Sequence, residues 1–370
     1  MRRRNRKWII LLVISSFVAL CIVANIFFGV KRETSSRPWA KPLPCVQTVI
    51  AYAALAENPT AKNVLLLGDA AKEYRELLAR AGLECVEGAD DKPVDVVFAA
   101  GQRPDKANRA AKKRLSEDGL WAEYVNAREM PLSVFRKMLS AVPGQCVHLW
   151  MPGEKDWLVT GRDESAKPTL DDMFGLFSRE DGFPDLVAAK CDSLPILFAS
   201  FVGNRKDVMP AFKGQDLTRM VRPEYFVTSV IPQLDWMDLD DVDADIRDSA
   251  LHEMRSMQVV RRMLLMGVVQ AENGEEEASV ESWAKVALRS PCDTMLVERL
   301  DRLSINAQAF LKLGKVAMAA RCYDTMAQIT PNDPMPVYNY GVCMRQLGEN
   351  EVANLAFKRA EELSKDKQLP

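Results

Sequence analysis

A run of 23 residues without a charged side chain, from Trp8 to Val30, constrains this chain more than any other feature of the sequence. As an α-helix the run is about 35 Å long, which is enough to cross a bilayer. A helix also satisfies the backbone hydrogen bonds that the bilayer core cannot provide. Five basic residues precede it. We therefore expect 1–7 to be a cytoplasmic basic tail, 8–30 a single-pass membrane anchor, and the bulk of the chain to be extracytoplasmic. The alternative is a cleaved signal peptide, but the apolar stretch is long for one.

Composition excludes several classes of protein. The 370 residues carry 49 basic and 51 acidic side chains, with a pI near 6.0, which argues against a nucleic-acid partner. His148 and His252 are the only histidines, so one chain cannot form a multi-histidine metal centre. The cysteines are scattered without a C-x-x-C pair, and their count beyond the anchor is odd, so at least one thiol is unpaired. We predict no metal site.

After a linker at 31–45, residues 46–215 have the pattern of an α/β domain. Short apolar segments alternate with amphipathic ones, which is typical of a mostly parallel sheet. The last two apolar segments are joined across Pro152 and Gly153, which predicts an antiparallel hairpin at the edge of that sheet. The predicted strands are 63–68, 83–87, 94–100, 119–125, 146–150 and 156–160, and the predicted helices are 46–57, 70–81, 105–115 and 131–141.

Several of these segments resemble the spermidine-synthase-like proteins, and in particular their membrane-associated members. The stretch from Tyr52 to Gly68, with Asn-Pro-x-x-Lys before its strand, is similar to the opening of that family's catalytic domain. Val94–Phe98 and Leu115–Trp121 are similar to two of its later strands, and the hairpin with Trp150 and Trp157 to its closing pair. The resemblance covers about 46–200 and implies a Rossmann-like fold of the S-adenosylmethionine-dependent methyltransferase superfamily. It also implies aminopropyl or methyl transfer from an S-adenosylmethionine-type cofactor.

The chain departs from that pattern where the chemistry resides. A nucleotide-type cofactor needs a glycine-rich turn, but Gly68 is followed by Asp69 and two alanines. Ala100 stands where the family has an acid. Only 27 residues separate Gly68 from Asp95, which is too short for the two helices and two strands that the family has there, so one strand–helix unit is missing. We therefore predict a pseudoenzyme without catalytic residues or a bound cofactor. Its vestigial cofactor-binding residues are Gly68, Asp69 and Glu87, which are otherwise plain solvated ends of strands.

Residues 216–250 are predicted as an acidic linker, because seven aspartates fall within the 14 residues from Asp235 to Asp248. Asp241, Asp243 and Asp245 have the spacing of a calcium loop. The sixth position, however, is Ile246 and the twelfth is His252, so a helix N-terminus accounts for the carboxylates better.

Residues 251–367 repeat at intervals of 40 and 34 residues when aligned on Gly274, Gly314 and Gly348. Small residues recur at two positions, an aromatic residue at a third and a proline near the end of the unit, which resembles the tetratricopeptide (TPR) repeat. Such repeats stack into an array whose first helices form a concave surface. The resemblance implies a protein or peptide partner on that surface, and register predicts its contact residues as Gln308, Lys312, Asn339, Val342, Arg345 and Gln346.

Two functions follow from these observations. The first is a membrane-anchored interaction scaffold that combines a degenerate, Rossmann-like domain with a docking array. The second is an active transferase that uses S-adenosylmethionine or its decarboxylated form on polyamines or other acceptors.

Overall fold

The computed structural model describes residues 44–86, 92–100, 105–127, 130–163, 167–177, 183–189, 191, 193–226, 237–239, 243–291 and 293–366. The predicted basic tail, the anchor at 8–30 and most of the linker at 31–45 lie outside these residues. No helix within the described ranges is long and apolar enough to span a bilayer.

The described chain contains seven strands and fifteen α-helices. The strands are β1 (Asn63–Leu67), β2 (Glu84–Val86), β3 (Val94–Ala100), β4 (Leu115–Asn126), β5 (Cys146–Trp150), β6 (Asp156–Arg162) and β7 (Phe201–Asn204). Helices up to β7 are α1 (Pro44–Glu57), α2 (Asp69–Lys72), α3 (Arg75–Arg80), α4 (Asp105–Arg114), α5 (Leu132–Ala141), α6 (Leu170–Leu176), α7 (Phe183–Ala188) and α8 (Leu194–Phe198). The later helices are α9 (Arg205–Val208), α10 (Ala244–Glu272), α11 (Glu276–Arg289), α12 (Thr294–Lys312), α13 (Val316–Ile329), α14 (Pro334–Gln346) and α15 (Asn350–Asp366).

The strands form one sheet in the order β2-β1-β3-β4-β6-β5-β7. The first four are parallel, and β6, β5 and β7 are joined by antiparallel pairing. An α/β domain followed by a helical region is therefore confirmed. The position of the predicted edge hairpin is wrong, because β7 pairs with β5 and forms the edge instead. Strand β7 is absent from the predicted strands: α8 ends at Phe198 and the chain enters β7 at Phe201.

The Asn-Pro-x-x-Lys motif has a structural role at the amino end of the sheet. The Asp95 carboxylate at the start of β3 accepts hydrogen bonds from the backbone N–H groups of Lys62 (2.8 Å) and Asn63 (3.2 Å). The Asn63 side chain accepts one in return from the Asp95 N–H at 2.9 Å, and the Asn58 amide donates to the Asp95 carbonyl. These bonds set the register of β1 on β3. These bonds lie at the amino ends of the strands. Ligands of α/β folds bind at the opposite edge, outside the carboxyl ends.

Both faces of the sheet are buried by helices. Alternate strand residues join one of two hydrophobic clusters, as a strand period of two requires. Val96 and Phe98 belong to the cluster under α1, α3 and α6–α8, whereas Val97 and Trp121 belong to the cluster under α5 and α10. Between β1 and β3 the described residues form only α2, α3 and β2, in agreement with the prediction that this interval is too short for a further strand–helix unit.

The helical region forms three hairpins, α10–α11, α12–α13 and α14–α15. Small residues allow each pair of helices to approach. A Cβ added to Gly267 would clash with Trp283 Nε1, and one added to Gly341 would lie 2.9 Å from the Phe357 ring. The aromatic position 16 residues after the small one thus fills the same gap in two hairpins. Helix α10 begins inside the predicted acidic linker, and Asp243 caps it by accepting hydrogen bonds from the N–H groups of Asp245 and Ile246.

The first hairpin is joined to the sheet domain by buried polar contacts. The Arg261 guanidinium on α10 pairs with Asp293 at 2.9 Å and donates to the Met151 carbonyl at 2.7 Å. The Thr294 hydroxyl donates to the Pro152 carbonyl, so the β5–β6 turn is held against the start of α12. Because these groups are buried and mutually satisfied, the sheet and the repeats are packed together at this point.

Candidate functional site

The first candidate site is the crevice at the carboxyl ends of the strands. Gly68 ends β1 with a left-handed φ of 90°, and α2 starts at the next residue. The Asp69 side chain is 98% exposed and pairs with Lys72 at 2.9 Å. Glu87, the third predicted residue, lies outside the described residues. Gly68 and Asp69 therefore form a short solvated turn, and neither makes a contact that marks a cofactor pocket.

The Tyr74 ring covers the sheet next to this turn. Its centroid lies 4.8 Å from that of Phe98 on β3 and 5.8 Å from that of Tyr124 on β4, and the residue is 2% exposed. Phe98 and Tyr124 each stand two residues before the end of their strand. The order of the strands reverses between β1 and β3, which is the switch point where open α/β sheets bind ligands. The Tyr74 side chain, which follows β1 in the chain, therefore occupies space beside the switch point.

The same region contains an acid–phenol pair that the sequence analysis missed. The Tyr124 hydroxyl donates to Asp156 Oδ1 at 2.6 Å, with Asp156 at the start of β6. Burial raises the pKa of Asp156 to about 6, and burial together with this carboxylate raises the pKa of Tyr124. The Tyr74 hydroxyl is buried without a hydrogen-bond partner among the described residues. The three residues are far apart in the sequence, and no local motif marks them.

Ala99 and Ala100, which the resemblance described above aligns with an acid, are fully buried in β3. Neither side chain can bind an ammonium group or accept a proton. Within the described ranges, no cluster of three or more histidine, cysteine or carboxylate side chains has the geometry of a metal site. Cys45, Cys85, Cys322 and Cys343 carry free thiols, in agreement with the odd count.

A second polar cluster lies inside the sheet domain, at the end of α1. The Glu57 carboxylate accepts hydrogen bonds from His148 Nδ1 (2.8 Å), Trp150 Nε1 (2.9 Å) and the Thr160 hydroxyl (3.0 Å). The Arg162 guanidinium donates to the Glu57 carbonyl. Burial opposes ionisation of this carboxyl, but His148 and then Arg162 outweigh it and lower the pKa of Glu57. All of these residues are buried, so the cluster joins α1 to β5 and β6 and is closed to substrates.

Two surface cavities lie away from the crevice. One of about 540 Å³ lies between α8, α10 and the end of α11, with Ile196, Met257 and Arg289 among its lining residues. The other, of about 430 Å³, follows α5. Neither is lined by Gly68 or Asp69.

The second candidate site is the face formed by the first helices of the repeats. In the first repeat this face is occupied. Leu264, Leu265 and Val268 are buried in the same cluster as Phe135 and Phe226 of the sheet domain. The sheet domain therefore covers the surface that α10 would otherwise present.

The same face of the next two repeats carries apolar side chains that are open to solvent. Ile305 is 64% exposed, Met335 60% and Tyr338 49%. Four of the six predicted contact residues are exposed and two are half-buried: Gln308, Lys312, Arg345 and Gln346, then Asn339 and Val342. Arg345 is not free, since its guanidinium stacks on the Phe357 ring at 4.5 Å and donates to Asn354 at 3.3 Å. The face therefore combines apolar, amide and cationic groups on α12 and α14.

Comparisons with known proteins assign no family to this chain. No protein-family description matches the chain, and no curated protein matches it. Among solved structures, one match is the crystal structure of MamA, at 14% identity over 33% of this chain and 70% of MamA. Its TM-score is 0.18, too low to carry an argument.

Proposed function

We propose that this chain is a catalytically inactive, spermidine-synthase-like scaffold that docks a protein partner on the second and third of its TPR-like repeats. The observation that carries the proposal is the contrast between equivalent positions in the three repeats. In the first repeat they are Arg261, Leu264 and Leu265, all of them buried, with Arg261 hydrogen-bonded to the Met151 carbonyl of the sheet domain. In the second and third, apolar side chains remain open to solvent.

The open positions are unusual for a surface that only faces water. Ile305, Met335 and Tyr338 lie at the register positions of Leu265, Arg261 and Leu264, all of which are buried. A cluster of exposed apolar side chains rimmed by polar groups is typical of a protein interaction site. The amides of Gln308 and Gln346 are able to hydrogen-bond the backbone of an extended segment.

The crevice supports the inactive reading. A transferase needs space and hydrogen-bond donors for the sulfonium cofactor, whereas Tyr74 covers the adjacent sheet and Gly68 is followed by an exposed turn. The two alanines at the end of β3 supply no base. The described residues at the crevice therefore do not fit an S-adenosylmethionine-type ligand.

Point variants of the full chain test the docking function. Ile305→Glu with Met335→Glu places two charges on the open face, and Leu355→Glu is the matched control, because Leu355 is 69% exposed on α15. Crosslinking in host membranes, followed by quantitative recovery of copurified proteins, is expected to lose a partner in the first variant only. Equal recovery from both variants contradicts the proposal.

An active transferase is the alternative, and one observation favours it. Asp156 has a pKa of about 6 and lies near the crevice, as a general base would. Thermal unfolding with increasing S-adenosylmethionine, decarboxylated S-adenosylmethionine or methylthioadenosine separates the two functions. A saturable rise in the unfolding temperature supports the enzyme, and an unchanged temperature supports the scaffold.

A further inference from the structure

One side of the sheet domain is strongly basic although the chain as a whole is nearly neutral. On α4, on α5 and in residues 209–219, the described side chains include one acid, Asp216, against eight basic residues. Asp216 already accepts a hydrogen bond from Thr218 and pairs with Arg219 at 3.8 Å. The eight basic residues are Arg109, Lys112, Lys113, Arg114, Arg136, Lys137, Lys213 and Arg219. We refer to this side as the α4–α5 face.

Backbone contacts make the α4–α5 face continuous. Lys112 Nζ on α4 donates to the carbonyl of Ala141, the last residue of α5, at 2.8 Å. At the other end of α5, the N–H of Ser133 donates to the Leu217 carbonyl at 2.9 Å. Helix α5 is therefore held along its length between α4 and residues 217–219, with Leu132, Phe135 and Leu139 buried beneath it.

A groove runs along the outer side of α5. It has a volume of about 430 Å³ and is lined by Ser133, Arg136, Lys137, Ser140, Ala141 and Leu217. Neither Arg136 nor Lys137 has an ion-pair partner among the described residues, and both are exposed. The Ser140 hydroxyl already donates to the Arg136 carbonyl at 3.0 Å. Two cations and the Ser133 hydroxyl thus line one open cavity, and a phosphate group accepts hydrogen bonds from such donors.

Apolar side chains flank the groove. Val134, one residue from its lining, and Met220, which bridges to Pro131 at the start of α5, are each 48% exposed. Cations interspersed with exposed apolar side chains are typical of surfaces that lie on anionic membranes. Single-stranded nucleic acids are instead bound by exposed aromatic side chains. The two aromatic residues in the described parts of α4, α5 and 209–220, Phe135 and Phe212, are both buried.

We propose that the α4–α5 face binds the surface of an anionic phospholipid bilayer, with a lipid phosphate in the groove beside Arg136 and Lys137. Val134 and Met220 would enter the interfacial layer on either side of that headgroup. The proposal is independent of the repeats, since α12–α15 contribute no residue to this face.

Photo-crosslinking in the full chain tests the lipid contact. A photo-crosslinking amino acid is placed at position 134 and, as control, at position 355 of α15, where the apolar side chain is more exposed (69% against 48%). Each protein is mixed with vesicles of phosphatidylcholine, with or without phosphatidylglycerol, and lipid adducts are measured by mass spectrometry. We expect adducts at 134 but not at 355, an increase with phosphatidylglycerol, and a decrease as the salt concentration rises.

Charge variants establish whether the basic residues bind the headgroup. Arg136→Glu with Lys137→Glu should reduce the adduct at position 134 roughly tenfold or more, since each cation contributes to attraction at an anionic surface. Lys358→Glu with Arg359→Glu, two adjacent basic residues on α15, should leave it unchanged. Arg136→Gln with Lys137→Gln, with an unfolding temperature equal to that of the parent, excludes a folding defect as the cause of any loss.

Three results overturn the proposal. Equal adduct yields at 134 and 355 show that the face does not contact lipid. A yield that is independent of phosphatidylglycerol shows that charge does not direct the contact. If the Arg136→Glu/Lys137→Glu protein loses binding to a labelled oligonucleotide while its lipid adduct persists, the face binds nucleic acid instead.

Discussion

Glu57 and His148 are separated by 91 residues in the chain, yet His148 Nδ1 donates to the Glu57 carboxylate at 2.8 Å in a fully buried site. Glu57 ends α1, and His148 lies in the middle of β5. The contact therefore connects the first described helix of the domain with its antiparallel strands. Because the same carboxylate also serves Trp150 and Thr160, the stability of this domain depends on one acid.

Replacing Glu57 with Gln is expected to destabilise the protein by about 3–5 kcal/mol, because it leaves the Arg162 charge buried without its countercharge. Urea unfolding followed by tryptophan fluorescence measures the change. The matched control is Glu361→Gln, since Glu361 pairs with Lys365 on the surface at 2.7 Å and solvent screens that pair, so its removal should change stability very little. Similar losses in the two variants would contradict a central role for Glu57.

Ionisation of Asp156 is expected to lower the free energy of unfolding as the pH rises. Its pKa is raised to about 6 in the folded protein, from 3.8 in the unfolded chain, so ionisation opposes folding. The penalty is absent below pH 3.8, grows between pH 3.8 and 6, and is complete above that. Asp156→Asn keeps an acceptor for the Tyr124 hydroxyl and removes the buried charge. We expect this variant to gain about 2–3 kcal/mol over the parent above pH 6 and almost nothing below pH 4.

Unfolding free energies of the two proteins, measured from pH 4 to 7, check this expectation. Parallel curves would show that Asp156 ionises at an ordinary pKa. Glu57 contributes to the pH dependence with the opposite sign. Its pKa is lowered in the folded protein, so it stabilises the fold above its unfolded pKa, and this stability is lost as the pH falls through its folded pKa. Both proteins contain Glu57, so the difference between the parent and Asp156→Asn cancels its contribution.

Gly267 is expected to reject a methyl group. In Gly267→Ala the new Cβ meets Trp283 Nε1, which itself donates to the Leu264 carbonyl at 3.2 Å. Overpacking of this kind costs about 1–3 kcal/mol. Gly175→Ala on α6 is the control, because nothing lies within 4 Å of its added Cβ, and there alanine should be neutral or stabilising. Thermal unfolding of both variants decides the matter, and a neutral Gly267→Ala would refute the close approach of α10 and α11.

Arg261 is expected to determine whether the repeats stay joined to the sheet. Arg261→Met leaves Asp293 buried and unpaired and removes the bond to the Met151 carbonyl, which should cost about 3–5 kcal/mol. Hydrogen exchange measured by mass spectrometry should then rise in residues 151–155 and in the first turn of α12. Arg321→Met, which breaks an exposed pair with Glu276, should leave exchange there unchanged. An undisturbed β5–β6 turn in Arg261→Met would show that other contacts hold the joint.

Local sequence patterns predicted the helices and strands, whereas contacts between residues distant in the sequence formed the candidate site. The strand segments and the repeat register were read from periodicity, since burial on a strand or helix face repeats every two or 3.6 residues. Strand β7 was missed because Phe201–Asn204 is four residues long and gains its stability by pairing with β5. The Tyr124–Asp156 pair has no local signature, because its members come from strands that meet only in the folded sheet.

The sequence by itself determined the α/β domain, the helical repeats and the absence of a glycine-rich turn after β1, because these depend on short-range periodicity and on the residue types at one turn. Only the tertiary structure decided which repeat surfaces are open. Leu264 and Ile305 occupy neighbouring register positions in their repeats and are both aliphatic. One is buried and the other exposed because Leu264 lies in the hydrophobic cluster shared with the sheet domain, whereas the sheet domain contacts α12 at Thr294, Arg299 and Arg302 and leaves Ile305 open. Such packing depends on contacts between residues more than 100 positions apart, which no local pattern encodes.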